Sequence, residues 1–168
     1  MGKSGFLWVF DPNQRREDTV GFRGSAILNL DSKGRMAVPA RYRDALAEQA
    51  DGRLVITADP SKCLLLYPAP EWGPIEEKLN SVSSFNPQLR AYQRVVVGYA
   101  EDVEMDSAGR ILLSPELRAF AGLDKRVVMI GQGKKFEIWD ELGWQRQCDV
   151  ALQYSSDGMP AELEGFSL

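Results

Sequence analysis

Asp31-Ser32-Lys33-Gly34-Arg35 and Asp106-Ser107-Ala108-Gly109-Arg110 write one pattern twice in a single chain. Residues of these types at this spacing suggest two chemistries. Paired Asp side chains that share a proton perform acid–base hydrolysis in aspartic proteases. A short loop carrying Lys and Arg beside Gly instead meets phosphates and base edges. The spacing disfavours the first. In aspartic-protease loops Gly directly follows Asp-Ser or Asp-Thr, whereas here a residue intervenes and an Arg follows. A guanidinium so close holds a carboxylate ionised instead of letting two carboxylates share a proton. Acid-dependent peptide cleavage would mark the hydrolase alternative. The chain has no His, which excludes His acid–base catalysis. Two distant cysteines, Cys63 and Cys148, do not make a zinc site and read as buried thiols rather than a disulfide. No catalytic residue, metal or cofactor is expected, and the chain does not read as an enzyme.

The two loops belong to a longer duplication. Asp31, Ser32, Gly34, Arg35 and Arg43 match Asp106, Ser107, Gly109, Arg110 and Arg118 at an offset of 75. Further on, "LVITADPSKCLLLYPAPEW" lies over "RVVMIGQGKKFEIWDELGW" at an offset of 72, with Trp72 on Trp144. Each copy reads as strand, Asp-Ser-x-Gly turn, strand, helix, strand, turn, strand, helix. Two copies are too few for a solenoid and predict a pseudo-twofold domain in which two half-cores close on each other. Within each loop Asp31 or Asp106 is expected to accept backbone N–H groups two and three residues on. Gly34 and Gly109 supply the positive φ that such a turn requires. Ser114, Pro115 and Gly122 bound one helix, Asn86 and Pro87 open another, and Asp140 caps the last. The first-copy helix is expected over 40–50. The domain plan is a flexible extension over 1–21, a first repeat over 22–80 and a connecting helix over 81–98. A second repeat over 99–153 and a flexible tail over 154–168 complete it.

The copies differ in charge. Between Phe22 and Leu46, Arg23, Lys33, Arg35, Arg41 and Arg43 outnumber Asp31 and Asp44, for a net of +3. Between Tyr99 and Ala121, Arg110 and Arg118 face five carboxylates, for a net of −3. The whole chain carries −4, so any polyanion site must be local. Taken alone, this imbalance is better read as a solvated surface than as a nucleic-acid contact. Apolar stretches are too short to span a membrane and no secretory leader is present, which points to the cytoplasm.

"FRGSAILNLDSKGRMAVPARYRDAL", "CLLLYPAPEW", "MDSAGRILLSPELRAFAGL" and "KFEIWD" resemble the MraZ family of bacterial transcriptional regulators, over Phe22 to Val150. The resemblance implies a mixed β/α fold, a pseudo-twofold swapped-hairpin β-barrel like that of AbrB and MazE, built from two internal repeats with flanking helices. It implies a ring-shaped homo-oligomer in the cytoplasm, associated with the nucleoid. Its implied partner is double-stranded DNA carrying short direct repeats, upstream of the division and cell wall gene cluster. There the family represses that cluster and its own gene. An oligomeric structural or antitoxin-like partner module, indifferent to polyphosphate and salt, is the alternative. In the family, Met immediately precedes Phe-Arg-Gly. Here Gly21 and twenty further residues precede Phe22, and a segment of that kind would cover or extend the basic face.

The resemblance assigns Arg35 to DNA and matches Lys33 to a basic loop position. From the residues alone, Arg35 reads as a brace for Asp31, as Arg110 does for Asp106; the basic excess and the resemblance move it to DNA contact. Asp31, Gly34, Asp106, Gly109 and Arg110 are expected to shape the turns. Arg23, Arg41 and Arg43 join the DNA-binding candidates. The start of a helix gives cations such as Arg41 and Arg43 no help from its dipole. Arg43 also recurs as Arg118, so structural pairing and phosphate contact both stay open. The four Trp residues are expected in the core or between subunits rather than as stacking platforms.

Overall fold

The computed structural model describes residues 21–82 and 85–167. The expectation for the N-terminal extension therefore falls, apart from Gly21, outside the described residues. The first repeat comprises β1 (Phe22–Asn29), β2 (Arg35–Ala37), α1 (Ala40–Ala50), β3 (Arg53–Asp59), β4 (Cys63–Pro68) and α2 (Ala69–Ser81). After α3 (Pro87–Val96), the second repeat runs through β5 (Glu101–Glu104), β6 (Arg110–Leu112), α4 (Pro115–Ala121), β7 (Arg126–Gly133), β8 (Lys135–Asp140) and α5 (Glu141–Ser155). A 3-10 turn over Ala161–Leu163 follows.

Local chemistry sets the helix ends. Ser114 accepts the N–H of Leu117, and Gly122 closes α4 at φ 62°. Asn86 accepts the N–H groups of Gln88 and Leu89, and Asp140 accepts that of Gly143. α1 ends where Asp51 and Gly52 turn left-handed, at φ 55° and 70°.

The two repeats interlock. The main sheet has the order β1-β7-β8-β4-β3-β5, with every neighbouring pair antiparallel. The first strand of each repeat thus lies on the third strand of the other. β2 and β6 make a separate two-stranded ribbon, centred on Met36 opposite Ile111. This is the swapped-hairpin arrangement.

Closure into a barrel is corrected: β1 and β5 end the six-stranded sheet and do not pair with each other. Other donors take the groups that would close it. The outer edge of β1 is met by α1, where the Tyr42 hydroxyl donates to the Arg23 carbonyl and Arg41 Nη2 donates to the Ser25 carbonyl at 3.1 Å. The ribbon bonds to the opposite loops instead, Val38 N–H to the Gly109 carbonyl at 2.8 Å and Leu113 N–H to the Gly34 carbonyl at 2.9 Å.

Both faces of the sheet are covered, so β3 and β4 read as continuous apolar runs. Leu54, Ile56, Leu64 and Leu66 join Met36, Ile111, Leu46 and Leu117 in one core. Val55, Leu65 and Tyr67 face the other way, toward Trp72, Val96 and Trp139. In the first core Phe136 of the second repeat packs against Phe22 and Tyr42 of the first, tilted on Phe22 and edge-on to Tyr42, with centroids at 4.3 and 4.8 Å. Cys63 is buried and Cys148 half-buried, both as free thiols. Burial pushes the Cys63 thiol up to about 12.

The register also corrects the alignment of the copies. Asn29 lies opposite Arg126, and Glu104 lies opposite Arg53. Arg53 therefore corresponds to Arg126 and Leu54 to Val127, an offset of 73 in β3 and β7. The offset of 72 holds from β4 and β8 onward, because the second turn is one residue shorter. A one-residue slip would have put Leu54 and Val127 on opposite faces. Among the described residues no helix is long and apolar enough to cross a membrane.

Candidate nucleic-acid interface

Each Asp-Ser-x-Gly-Arg loop is a closed hydrogen-bonded unit. Asp31 Oδ1 accepts the N–H groups of Lys33 and Arg35, both at 2.9 Å, and Oδ2 accepts Arg35 Nε at 2.7 Å. The backbone closes the turn, with Gly34 N–H donating to the Asp31 carbonyl and Asp31 N–H to the Arg35 carbonyl, both at 3.0 Å. The expected bond to the third residue is thus made by the Asp31 carbonyl, while its carboxylate reaches the second and fourth. Asp106 repeats the unit with Ala108 and Arg110, at 2.9, 2.8 and 2.9 Å. Gly34 and Gly109 take φ 82° and 75°, as the turn requires.

This geometry keeps both carboxylates charged. The backbone N–H of Arg35 is the largest influence on Asp31, and the Arg35 guanidinium and the Lys33 N–H add to it. Against partial desolvation they hold its pKa at about 2. The same three contacts lower Asp106. Each carboxylate commits both oxygens to its own loop, so the two do not form a proton-sharing pair.

The ribbon sets the two loops at its opposite ends, because antiparallel pairing places Arg35 across from Leu112 and Ala37 across from Arg110. Each loop is backed by the other repeat. Arg118 Nε donates to the Leu113 carbonyl at 3.1 Å, and its guanidinium lies over Gly34, where a Cβ would sit 2.7 Å from Nε. Arg43 Nε donates to the Val38 carbonyl at 2.7 Å and lies over Gly109 in the same way, at 2.4 Å from such a Cβ. Only glycine admits this approach. The duplicated Gly and the duplicated Arg are two halves of one brace, which the spacing shows only once the repeats are known to cross.

The five basic candidates consequently fall in three places. Lys33 is exposed at the tip of the first loop, and Arg35 is half-buried beside it. Asp31 holds Nε of Arg35, and its two terminal nitrogens make no hydrogen bond among the described residues. Arg23 and Arg41 lie together against Tyr42, at the far end of β1. Seven residues, Gly24 to Leu30, separate Arg23 from the loop at Asp31, roughly 25 Å at about 3.3 Å per residue step. Arg43 lies at the second loop. Tyr42, which sequence reasoning passed over, joins β1 to α1 through its hydroxyl and lies in the aromatic cluster.

What distinguishes the loops is the tip. The first offers Lys33 where the second offers Ala108, on the same backbone with the same bonds. The strand that leads into the second loop, β5, carries carboxylates: Glu101 is half-buried and accepts the Ser114 hydroxyl at 2.9 Å, while Asp102 and Glu104 are exposed. The fold thus displays one rigid scaffold twice, once with a cationic tip and once in an acidic setting.

A family described as "MraZ protein, putative antitoxin-like" matches the chain over residues 22–95 and again over 96–164. Similar proteins include the transcriptional regulator MraZ of Nitrosospira multiformis, 63% identical over 147 residues. That of Thiobacillus denitrificans is 58% identical over 147 residues, and that of Klebsiella pneumoniae 51% over 151. Each alignment takes in 88% of this chain and 99% of the relative. Two successive family matches fall on the two interlocked repeats, and this chain belongs to the MraZ family.

Proposed function

We propose that this protein is a sequence-specific DNA-binding transcriptional regulator that reads DNA with the first Asp-Ser-Lys-Gly-Arg loop. The observation that carries the reading is the contrast at the loop tips, where Lys33 stands in the place of Ala108 on a shared scaffold; Arg35 and Arg110 alike keep terminal nitrogens without a hydrogen bond among the described residues. Asp31 presets the Arg35 guanidinium, so little side-chain entropy is lost when its outer nitrogens meet a base edge. Bidentate contact of Arg with guanine O6 and N7 is the commonest specific contact in the major groove. Lys33 meets phosphate. Arg23 and Arg41 add phosphate contacts at a second point, and Arg43 stays with its brace.

The finer reading is a ring-shaped homo-oligomer on short direct repeats, repressing the division and cell wall gene cluster and its own gene. Support for association between copies comes from apolar side chains left exposed on α5, namely Leu142, Val150, Leu152 and Tyr154.

Salt dependence tests the phosphate role. Binding is expected to weaken linearly in log salt, and Lys33→Ala to make the slope shallower by about 0.9 for each engaged loop. A filter-binding titration between low and physiological salt measures it. An unchanged slope would place Lys33 away from the phosphates, and a stable oligomer indifferent to DNA at every salt concentration would favour the partner-module alternative.

A further inference from the structure

We infer that Arg118, a residue of the second repeat, is a positioning residue for DNA reading by the first loop. It holds Gly34 from behind and so fixes Lys33 and Arg35, the residues on either side. Arg118 acts here through the loop proposed to read DNA, so its role rests on that reading.

Three contacts fix Gly34, and two of them come from the other repeat. Its N–H donates to the Asp31 carbonyl within the loop at 3.0 Å, and its carbonyl accepts the Leu113 N–H at 2.9 Å. The Leu113 carbonyl in turn accepts Arg118 Nε at 3.1 Å. The Arg118 guanidinium then covers the face of Gly34 where a Cβ would point, 2.7 Å from Nε and 2.8 Å from Cζ. Leu113 is fully buried, so these contacts are anchored in the core. Gly34 is itself buried, whereas Ser32 and Lys33 are exposed and Arg35 is half-buried. The loop therefore has a foot held by the second repeat and a tip left to solvent.

No carboxylate orients Arg118, which makes no ion pair among the described residues. The contacts that place its side chain lead to the first loop. Glycine is the softest backbone position, and this one lies between the two residues that meet DNA. A brace there removes the freedom before binding, and preorganisation of this kind lowers the ordering cost of association. Arg43 repeats the brace over Gly109, where the tip residue is Ala108. It makes the same structural contribution with no tip cation to position, and so supplies an internal control.

The test uses full-length Arg118→Ala, Arg118→Gln, Arg118→Lys, Arg43→Ala and Arg35→Ala chains. Each is titrated on the DNA upstream of this protein's own gene and on an unrelated duplex of equal length. Gln places its amide nitrogen as many bonds from Cα as Nε of Arg, so it keeps a donor for the Leu113 carbonyl without the charge; Lys keeps the charge without that donor. Arg118→Ala is expected to lower the ratio of specific to non-specific affinity about tenfold, within the range of one bidentate Arg–base contact. Arg118→Gln is expected to restore most of that loss and Arg118→Lys little of it. Arg43→Ala is expected to keep the ratio while losing as much thermal stability as Arg118→Ala. The salt slope is expected to stay that of the unaltered chain, which separates positioning from a phosphate contact. Amide hydrogen exchange at Lys33 and Arg35 is expected to quicken about tenfold in Arg118→Ala, with Ala108 and Arg110 unchanged.

Equal loss of the ratio in Arg118→Ala and Arg43→Ala would reduce the brace to a structural one and overturn the positioning role. Rescue by Lys in place of Gln, with a shallower salt slope in Arg118→Ala, would make Arg118 a phosphate contact and overturn it too. An unchanged ratio in Arg118→Ala beside a lost one in Arg35→Ala overturns the positioning and leaves the DNA reading in place. Full specific binding by Arg35→Ala overturns the DNA reading and the positioning with it.

Discussion

An operator cut from several direct repeats to one is expected to lose at least about 100-fold in affinity for this protein. The argument starts from the smallness of the loop. One tip offers one Lys and one Arg, and a bidentate Arg–base contact discriminates by roughly 1–3 kcal/mol. Specific operators exceed non-specific DNA by about 4–10 kcal/mol. A single rigid loop falls short, and its rigidity prevents it from wrapping more DNA. Several identical loops on an oligomer of the kind proposed would make up the difference, because every contact after the first would be intramolecular. The same geometry requires the boxes to face one way, so an insertion of roughly 5 base pairs, half a helical turn, is expected to cost as much as deleting a box. A mobility-shift series with one to four boxes and the half-turn insertion measures both. Equal affinity for one box and for four would remove the oligomer from the mechanism while leaving the loop in it.

Phe136→Ala is expected to lower the stability of the fold by about 3–5 kcal/mol, the usual cost of emptying a buried aromatic site. Phe136 belongs to the second repeat, yet its ring is fully buried against Phe22 and Tyr42 of the first. With β1 on β7 and β5 on β3, neither repeat keeps a complete sheet alone. Loss of Phe136 is therefore expected to shift one cooperative transition rather than to split it in two. Urea unfolding followed by Trp fluorescence and by circular dichroism tests this, and non-coincident curves would show that the repeats unfold separately.

The elements were largely readable from local signals. Asn86, Ser114 and Asp140 cap the helices they precede, and the Asp and Gly of each loop shape a turn whose bonds close within five residues. The pairing of strands was less readable, since it depends on residues about a hundred positions apart, such as Phe22 beside Gly133. The open sheet was hidden for a related reason. Tyr42 and Arg41 occupy the carbonyls on the outer edge of β1, and neither residue carries a sequence mark of that role. The one-residue error in aligning β3 with β7 came from matching turns of unequal length. For Arg43 the sequence left structural pairing and phosphate contact both open; the structure adds that its guanidinium lies over Gly109 of the other repeat and bonds the Val38 carbonyl. Its recurrence as Arg118, over Gly34, was the signal for the brace.

The same comparison of twins decides the central claim. Arg35 and Arg110 share backbone, partner and spacing, and differ in what surrounds them. Mobility-shift titrations on the DNA upstream of this protein's own gene, with Arg35→Ala and Arg110→Ala each verified as folded and oligomeric, separate their roles. Loss of sequence-specific binding in Arg35→Ala, with near-normal affinity and reduced thermal stability in Arg110→Ala, is the predicted result. Equal loss of DNA binding in both folded variants would contradict the assignment of the DNA contact to the first loop.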